Sequence, residues 1–433
     1  MLLRNGHLVD PGQAIDGVTD IRIKGETIAE LGPDLPAEAG EEVVDLEGLY
    51  VIPGLIDLHV HLRDPGDEDS EDLESGSKAA IAGGFTTVVC MPNTKPVIDN
   101  VPMATYIQEK SRRLGYADVI PSAAITKGEM GKEITEIGML KEAGVAAFTD
   151  DGKTVMDAGV LRNAMDYGKA YDVLFMEHCE DPYLRDRGVM NEGKVATELG
   201  LFGAPKEAED VIIMRDIMLA ELTGARMHIQ HLSTARGLDM VRQAKAKGLP
   251  VSCEVTPHHL LLTEEKVRGY NTFAKVAPPL RTAEDNAALI AGLQDGTVDC
   301  IATDHAPHAA ELKDCEFVRA RFGISSIEVA FPLAWTHLVG SGQLSLSELV
   351  RLMSARPADL LGLERGSLIP GRVADILIFD PNTEKEVEPE TFYSKGKNCP
   401  YEGETLSGWP VHVLRAGRLV YRDGAIVAPG AEA

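Results

Sequence analysis

Positive charge is scarce in this chain. Its 433 residues carry 42 Lys and Arg against 68 Asp and Glu, a formal net charge of −26. The acidic residues are spread along the chain rather than gathered in a tail. That balance favours solubility and argues against general binding to nucleic acid or anionic membranes. Cysteine is sparse as well. The six (Cys90, Cys179, Cys253, Cys300, Cys315 and Cys399) are dispersed, with no Cys-x-x-Cys pair. Four of them sit in or beside apolar strand-like runs, as small buried hydrophobes do. No apolar run approaches the roughly 18 residues of a membrane span. The N-terminus, Met1-Leu-Leu-Arg-Asn-Gly-His7, lacks the apolar stretch of about 7–15 residues found in a secretory signal. A reduced, cytoplasmic protein with no membrane and no nucleic-acid partner is the expectation.

Several chemical signatures are missing too. Gly152-Lys153-Thr154 has the tail of a phosphate-binding loop, but Ala147 stands where that loop needs glycine. There is no Gly-x-Ser-x-Gly elbow and no Gly-x-Gly-x-x-Gly after a strand, so nucleotide binding and serine-hydrolase chemistry are poorly supported.

What is present starts with Val51-Ile-Pro-Gly-Leu-Ile-Asp-Leu-His59-Val-His61-Leu-Arg63-Asp-Pro-Gly66. An apolar run typical of a buried parallel strand ends in two histidines spaced i, i+2, which a strand projects to one face. Two neutral imidazoles on one side make half a site for a zinc-like ion. The arginine that follows could hold an anion.

At 433 residues with 44% hydrophobic content, the natural reading is one barrel-sized domain plus a smaller one. The two ends look alike: Leu2-Leu-Arg-Asn-Gly-His-Leu-Val-Asp10 and Val413-Leu-Arg-Ala-Gly-Arg-Leu-Val-Tyr421 each read as strand, glycine turn, strand. Residues 1–52 and 364–433 are therefore expected to form one composite β-sandwich-like domain, with 53–363 between them. The middle repeats a strand-then-helix rhythm, which implies a parallel sheet. Eight strand candidates end near His61, Asn93, Ile125, Asp151, His178, Ser233, His258 and Asp304, with helix-compatible segments such as 207–223 and 285–294 between them. The fold class is α/β, a TIM (β/α)8 barrel whose site lies at the strands' C-terminal ends. His59, His61, His178 and His231 fall at those ends, with Asp304 and the Asp150-Asp151 pair. Four histidines and two carboxylates suit two metal ions rather than one.

These motifs together resemble the amidohydrolase superfamily and, within it, the dihydroorotases of the long first type. The carrying segments are Asp57 to Gly66, Cys90-Met-Pro-Asn-Thr94, Phe148-Thr-Asp-Asp-Gly152, Glu177-His178 and His231-Leu-Ser233. Val255-Thr-Pro-His-His-Leu260, Ala277-Pro-Pro-Leu-Arg281 and Ala302-Thr-Asp-His-Ala-Pro-His308 complete the set.

The resemblance implies two zinc ions per chain, held by His59, His61, His178, His231 and Asp304. Relatives such as hydantoinases bridge their ions with a carboxylated lysine at the end of the fourth strand, where this chain has none. Asp151 is the expected bridge, with Asp150 the alternative because strand alternation turns only one of the pair inward, and Lys153 an outside candidate. The implied reaction is the reversible cyclisation of N-carbamoyl-L-aspartate to dihydroorotate in de novo pyrimidine synthesis, with Asp304 as the catalytic proton carrier. The implied substrate-binding set is His61, Arg63, Asn93 and His308, with the backbone near Phe322 and Gly323. Position 277 belongs to that set too, but the family commonly has asparagine there and this chain has Ala277. A homo-oligomer and an association with aspartate transcarbamoylase belong to the same expectation. The charged stretch 309–321 reads as a mobile lid.

Other residues read more plainly. His228, His258 and His259 are expected in core or supporting roles, His7, His337 and His412 at the surface, and Asp57 and Asp64 ordering the loop. Two rival functions remain. A hydantoinase or allantoinase would share barrel and metals without needing Arg63 and Asn93 against a carboxylate. A non-catalytic dihydroorotase-like subunit would tend to lose the metal histidines, which this chain keeps.

Overall fold

A computed structural model describes residues 1–428; the last five residues of the expected composite end domain lie outside the described residues. Eight parallel strands form the centre: Leu55–Val60, Phe85–Cys90, Asp118–Pro121, Ala147–Phe148, Leu174–Glu177, Arg226–Ile229, Val251–Val255 and Cys300–Ile301. The first three pair in sequence order, as do the last five. Single bridges join the groups, Ala123 to Phe148 and Val60 to His305, so the sheet closes on itself. The helices fall between the strands, among them Leu73–Ala82, Val101–Leu114, Glu207–Thr223, Ala235–Ala246 and Ala283–Gln294. This is a (β/α)8 barrel. Leu58, Val89, Ala147, Met176 and Cys300, from five different strands, share one buried apolar cluster, which only a closed barrel interior can assemble.

Every strand stops short of its expected end, furthest at two places. The third strand stops at Pro121 rather than near Ile125. The sixth stops at Ile229 rather than near Ser233, because His231 adopts a φ of 31° that breaks extended backbone. The helix expected from residue 285 begins at Ala283. Asp285 serves instead as the reciprocal partner of the Thr282 cap, its carboxylate accepting from the Thr282 N–H at 3.2 Å and hydroxyl at 2.7 Å.

Both chain ends build the remaining sheets. In a seven-stranded sheet, Tyr50–Pro53 pairs with His7–Asp10 on one side and with Ile376–Asp380 on the other, and Ile376–Asp380 pairs in turn with Trp409–Arg415. A four-stranded sheet holds Leu2–Arg4, Asp20–Lys24, Thr27–Gly32 and Val43–Asp45. Leu3, Ile21, Ile23, Val51, Ile376 and Leu414 pack between the two sheets. The run that reads as one strand from Val51 is two strands in two sheets. It breaks at Gly54, where a Cβ would stand 2.4 Å from Thr86 Oγ1 and where the N–H donates to Asp375 O at 2.9 Å. Five of the six cysteines are buried, and Cys315 is half-buried. His412, expected at the surface, is 8% exposed because strand Trp409–Arg415 turns it beneath its neighbours.

Candidate metal and substrate site

The C-terminal ends of barrel strands one, four, five, six and eight bring His59, His61, Asp151, His178, His231 and Asp304 into one buried group. Asp151 is its centre. One of its oxygens stands 3.3 Å from His59 Nε2, and the other 3.3 Å from His61 Nε2. On its far side, His178 Nδ1 lies 3.9 Å and His231 Nε2 3.8 Å from Oδ1. Asp151 is thus shared by two triads, with His59 and His61 and with His178 and His231, whose donor atoms lie within 4.8 Å of one another. Asp304 Oδ1 is 3.2 Å from His61 Nε2 and 3.5 Å from His59 Nε2.

The neighbouring candidates point elsewhere. Asp150 accepts from the Thr126 N–H at 2.9 Å and from its hydroxyl, turned away from the cluster. Lys153 is half exposed and pairs with Glu129 at 3.4 Å. Beyond the end of the strand, Asp151 and not Asp150 turns inward.

The donor set fits a cation. His59 Nε2 and Asp151 Oδ1 are buried and have no hydrogen-bond partner among the described residues, a costly arrangement unless a ligand satisfies them. His178 Nδ1 and His231 Nε2 face each other at 2.9 Å. Burial, with Arg63 alongside, pushes His61 down from its ordinary value. Burial, with His178 and His59 nearby, pushes His231 well down, towards the neutral imidazole that ligates metals. Burial opposes ionisation of Asp151, but His59, His61 and His178 hold its carboxyl well below the usual range. The backbone is strained here. Arg63, His231 and Asp304 have φ of 57°, 31° and 45°, conformations that cost a non-glycine residue about 1–3 kcal/mol each and cluster at functional sites.

Supporting groups aim the ligands. Asn93 Oδ1 takes His61 Nδ1 at 3.2 Å. Glu254, from the seventh strand, takes His59 Nδ1 at 2.8 Å. Asp57 accepts from the N–H of His59 at 3.0 Å and from the Thr303 hydroxyl at 2.6 Å, tying the first strand to the eighth. Asp64 orders its loop by accepting from Tyr106 and from Leu73 N–H at 3.0 and 3.2 Å. His259 bonds Pro278 O and Thr256 Oγ1, each at 2.9 Å. His228 lies below the cluster, held by Ser252 and Glu254.

A cavity of about 280 Å³ opens on this group, walled by Arg63, Asn93, Ala277, His308, Phe322 and Gly323. Arg63 Nε donates to Pro307 O at 3.3 Å. His308 Nε2 donates to Phe322 O at 2.7 Å, and burial, with Arg63 nearby, pushes its imidazole down to about 2. Gly323, at φ 144°, permits the close approach: a Cβ there would stand 2.6 Å from Ala306 O and 2.9 Å from His308 Nε2. The expected backbone contacts are partly committed within the protein, since Gly323 N–H donates to Lys275 O at 2.9 Å.

Three residues of this neighbourhood escaped the sequence reading: Glu254, Arg185 and Asn398. Arg185 lines the cavity and lies 4.6 Å over the Phe322 ring. Asn398 donates to Ala306 O and Gly323 O at 3.1 and 3.0 Å. Only Glu254 left a signal, as a lone acid in an apolar strand.

The stretch 309–321 is not a loose lid. The Lys313 ammonium is buried and donates to Thr272 O and Arg321 O at 2.9 and 2.8 Å. Lys275 reaches back to Phe317 O and Val318 O at 2.7 and 3.0 Å. The charges that read as solvated staple the loop down.

Residues 48–237 match the model of the dihydro-orotase-like family, and 220–427 that of the amidohydrolase family. A dihydroorotase of Pelobacter propionicus is 48% identical over 98% of this chain and 99% of its own. One from Ruminiclostridium cellulolyticum is 48% identical over 99% of this chain and all of its own. The chain belongs to the dihydroorotase family of amidohydrolases. The family's barrel is also that of an L-hydantoinase (dihydropyrimidinase) from Arthrobacter aurescens, at a TM-score of 0.88 and 27% identity over 99% of this chain and 97% of that one.

Proposed function

We propose that this chain is a dihydroorotase, closing N-carbamoyl-L-aspartate to dihydroorotate with loss of water and catalysing the reverse hydrolysis, in the making of pyrimidines. The observation that carries this reading is the half-buried Arg63 side chain in the wall of the same cavity as the histidine–aspartate group. A planar bidentate donor suits a carboxylate, which dihydroorotate has and hydantoin lacks.

His59, His61, Asp151, His178, His231 and Asp304 would hold two zinc ions, with Asp151 shared between them. Bound there, such ions supply acidification of water and polarisation of the amide carbonyl. The chain's own groups do the rest. Arg63, Asn93 and His308 hold the substrate carboxylate and fix the ring against the cluster. Asp304 lines the cavity beside His61; it takes the proton of the attacking water and delivers it to the departing ring nitrogen. In ring closure the same carboxylate takes the proton from the ureido nitrogen. Six cysteines without a disulfide support a reducing, cytoplasmic setting. No helix among the described residues is long and apolar enough to cross a membrane. Self-association and a complex with aspartate transcarbamoylase belong to this reading through the family resemblance.

A panel of dihydroorotate, N-carbamoyl-L-aspartate, hydantoin and allantoin tests it. The first two are expected to react and the neutral rings to be poor. A clear preference for hydantoin or allantoin would overturn the assignment in favour of the hydantoinase reading. Zinc binding with no turnover of any ring would favour a non-catalytic subunit.

A further inference from the structure

Beneath the metal-ligand group a chain of polar side chains runs through the barrel core. Ser252 Oγ lies 2.8 Å from His228 Nδ1, His228 Nε2 3.2 Å from Glu254 Oε2, and Glu254 Oε1 2.8 Å from His59 Nδ1. All four are buried, Glu254, His228 and His59 completely and Ser252 at 7% exposure. Solvent reaches only the Ser252 end, so from His228 to His59 donors and acceptors must match within the chain.

That requirement fixes the protons that face Glu254. An ionised carboxylate only accepts, so both imidazole nitrogens facing Glu254 must carry hydrogen. His228, a donor through Nε2, then accepts at Nδ1 from the Ser252 hydroxyl. His59, a donor through Nδ1, leaves Nε2 as the nitrogen that can ligate. That nitrogen is the one with no hydrogen-bond partner, 3.3 Å from Asp151 and 3.5 Å from Asp304. Gln230 Nε2 also lies 3.2 Å from His59 Nδ1, but the carboxylate contact is shorter and charged, and decides the tautomer.

We propose that Glu254, braced by His228 and Ser252, is a positioning residue for the metal centre, holding His59 as the Nδ1–H tautomer so that Nε2 is the ligating atom. The inference rests on the metal-centre reading above. It also disposes of the other donor cluster in the core. His228, Glu254 and Cys300 lie close enough to bind an ion, but the imidazole and the carboxylate are already committed along the chain.

The Glu254→Leu and Glu254→Gln variants separate positioning from simple bulk. Leucine removes the acceptor. Glutamine can turn its oxygen to His59 and its amide nitrogen to His228, whose ring then becomes the Nδ1–H tautomer donating to Ser252. Zinc affinity of the metal-stripped proteins, measured by chelator competition without substrate, should fall 10–100-fold in Glu254→Leu, the usual effect of losing such a partner. It should be substantially recovered in Glu254→Gln. Histidine-selective nitrogen NMR of the zinc-loaded wild type and Glu254→Gln should show His59 as the Nδ1–H form, a readout available even where the leucine variant does not fold. Wild-type zinc affinity in Glu254→Leu, or the Nε2–H tautomer at His59, would overturn the proposal. Loss of zinc in His59→Ala with no change in Glu254→Leu would leave the metal centre standing and remove only Glu254's role. Tight zinc binding with the expected Glu254 effects but no turnover of dihydroorotate would remove the proposed activity and leave this inference intact.

Discussion

Asp151 Oδ1 and His59 Nε2 face each other 3.3 Å apart, and neither atom makes a hydrogen bond among the described residues. Two buried acceptor atoms in contact are repulsive unless a proton or a cation lies between them. The Asp151→Asn variant should therefore lose most bound metal, while Asp150→Asn, which alters only the Thr126 contacts, should keep it. Elemental analysis of gently purified protein distinguishes them; the reverse pattern would make Asp150 the bridge.

Asp304→Asn keeps an oxygen beside His61 but cannot carry a proton. Turnover of dihydroorotate should fall about 10²–10⁴-fold, with much of the metal retained. A wild-type rate in this variant would show that another group moves the proton.

Arg63→Met should raise KM for dihydroorotate and N-carbamoyl-L-aspartate strongly, and leave any slow hydrolysis of hydantoin nearly unchanged. The guanidinium has no carboxylate to hold in the neutral ring. Equal losses on charged and neutral substrates would point to a structural role for the arginine.

Lys313→Met removes an ammonium that bonds carbonyls from two separate segments. Amide hydrogen exchange over 309–321 should accelerate, and KM should rise as Phe322 and Gly323 lose their support. Unchanged exchange would mean that the other contacts of the loop suffice.

Glu328 links the barrel to the end region by accepting from the N–H groups of Tyr393 and Ser394 at 3.1 and 3.0 Å. Burial outweighs those bonds and pushes its carboxyl up to about 8. Because the folded value lies above the unfolded one, the folded state holds the extra proton. Its contribution to stability is complete below about pH 4.5 and is lost as pH rises through about 8. Denaturant unfolding of Glu328→Gln should show a flatter decline over that window than wild type. Parallel curves would deny the carboxyl this part.

Much of the site was readable in the chain because its ligands are histidines and aspartates at strand ends, where apolar runs meet turns. Barrel closure then does the gathering, so His59 and Asp304 could be paired without knowing a distance. What escaped was whatever depends on a distant partner. Lys313 looks solvated until carbonyls at 272 and 321 are seen to surround it. Glu254 was visible as a lone acid in Val251–Val255, but its purpose appears only when His59 arrives 2.8 Å away. The break at Gly54 was hidden because apolar residues continue on both sides, and only the approach of Thr86 demands a glycine.

Asn398 reaches the cavity from the far end of the chain, bracing Ala306 and Gly323. The barrel therefore cannot be excised as a working cassette. A fragment trimmed to residues 53–363 would carry all six residues of the histidine–aspartate group and lose the strut beneath its own pocket wall. Attempts to shrink or transplant this catalyst must bring the C-terminal strand region with them, and fusions placed near residue 398 will be felt at the substrate.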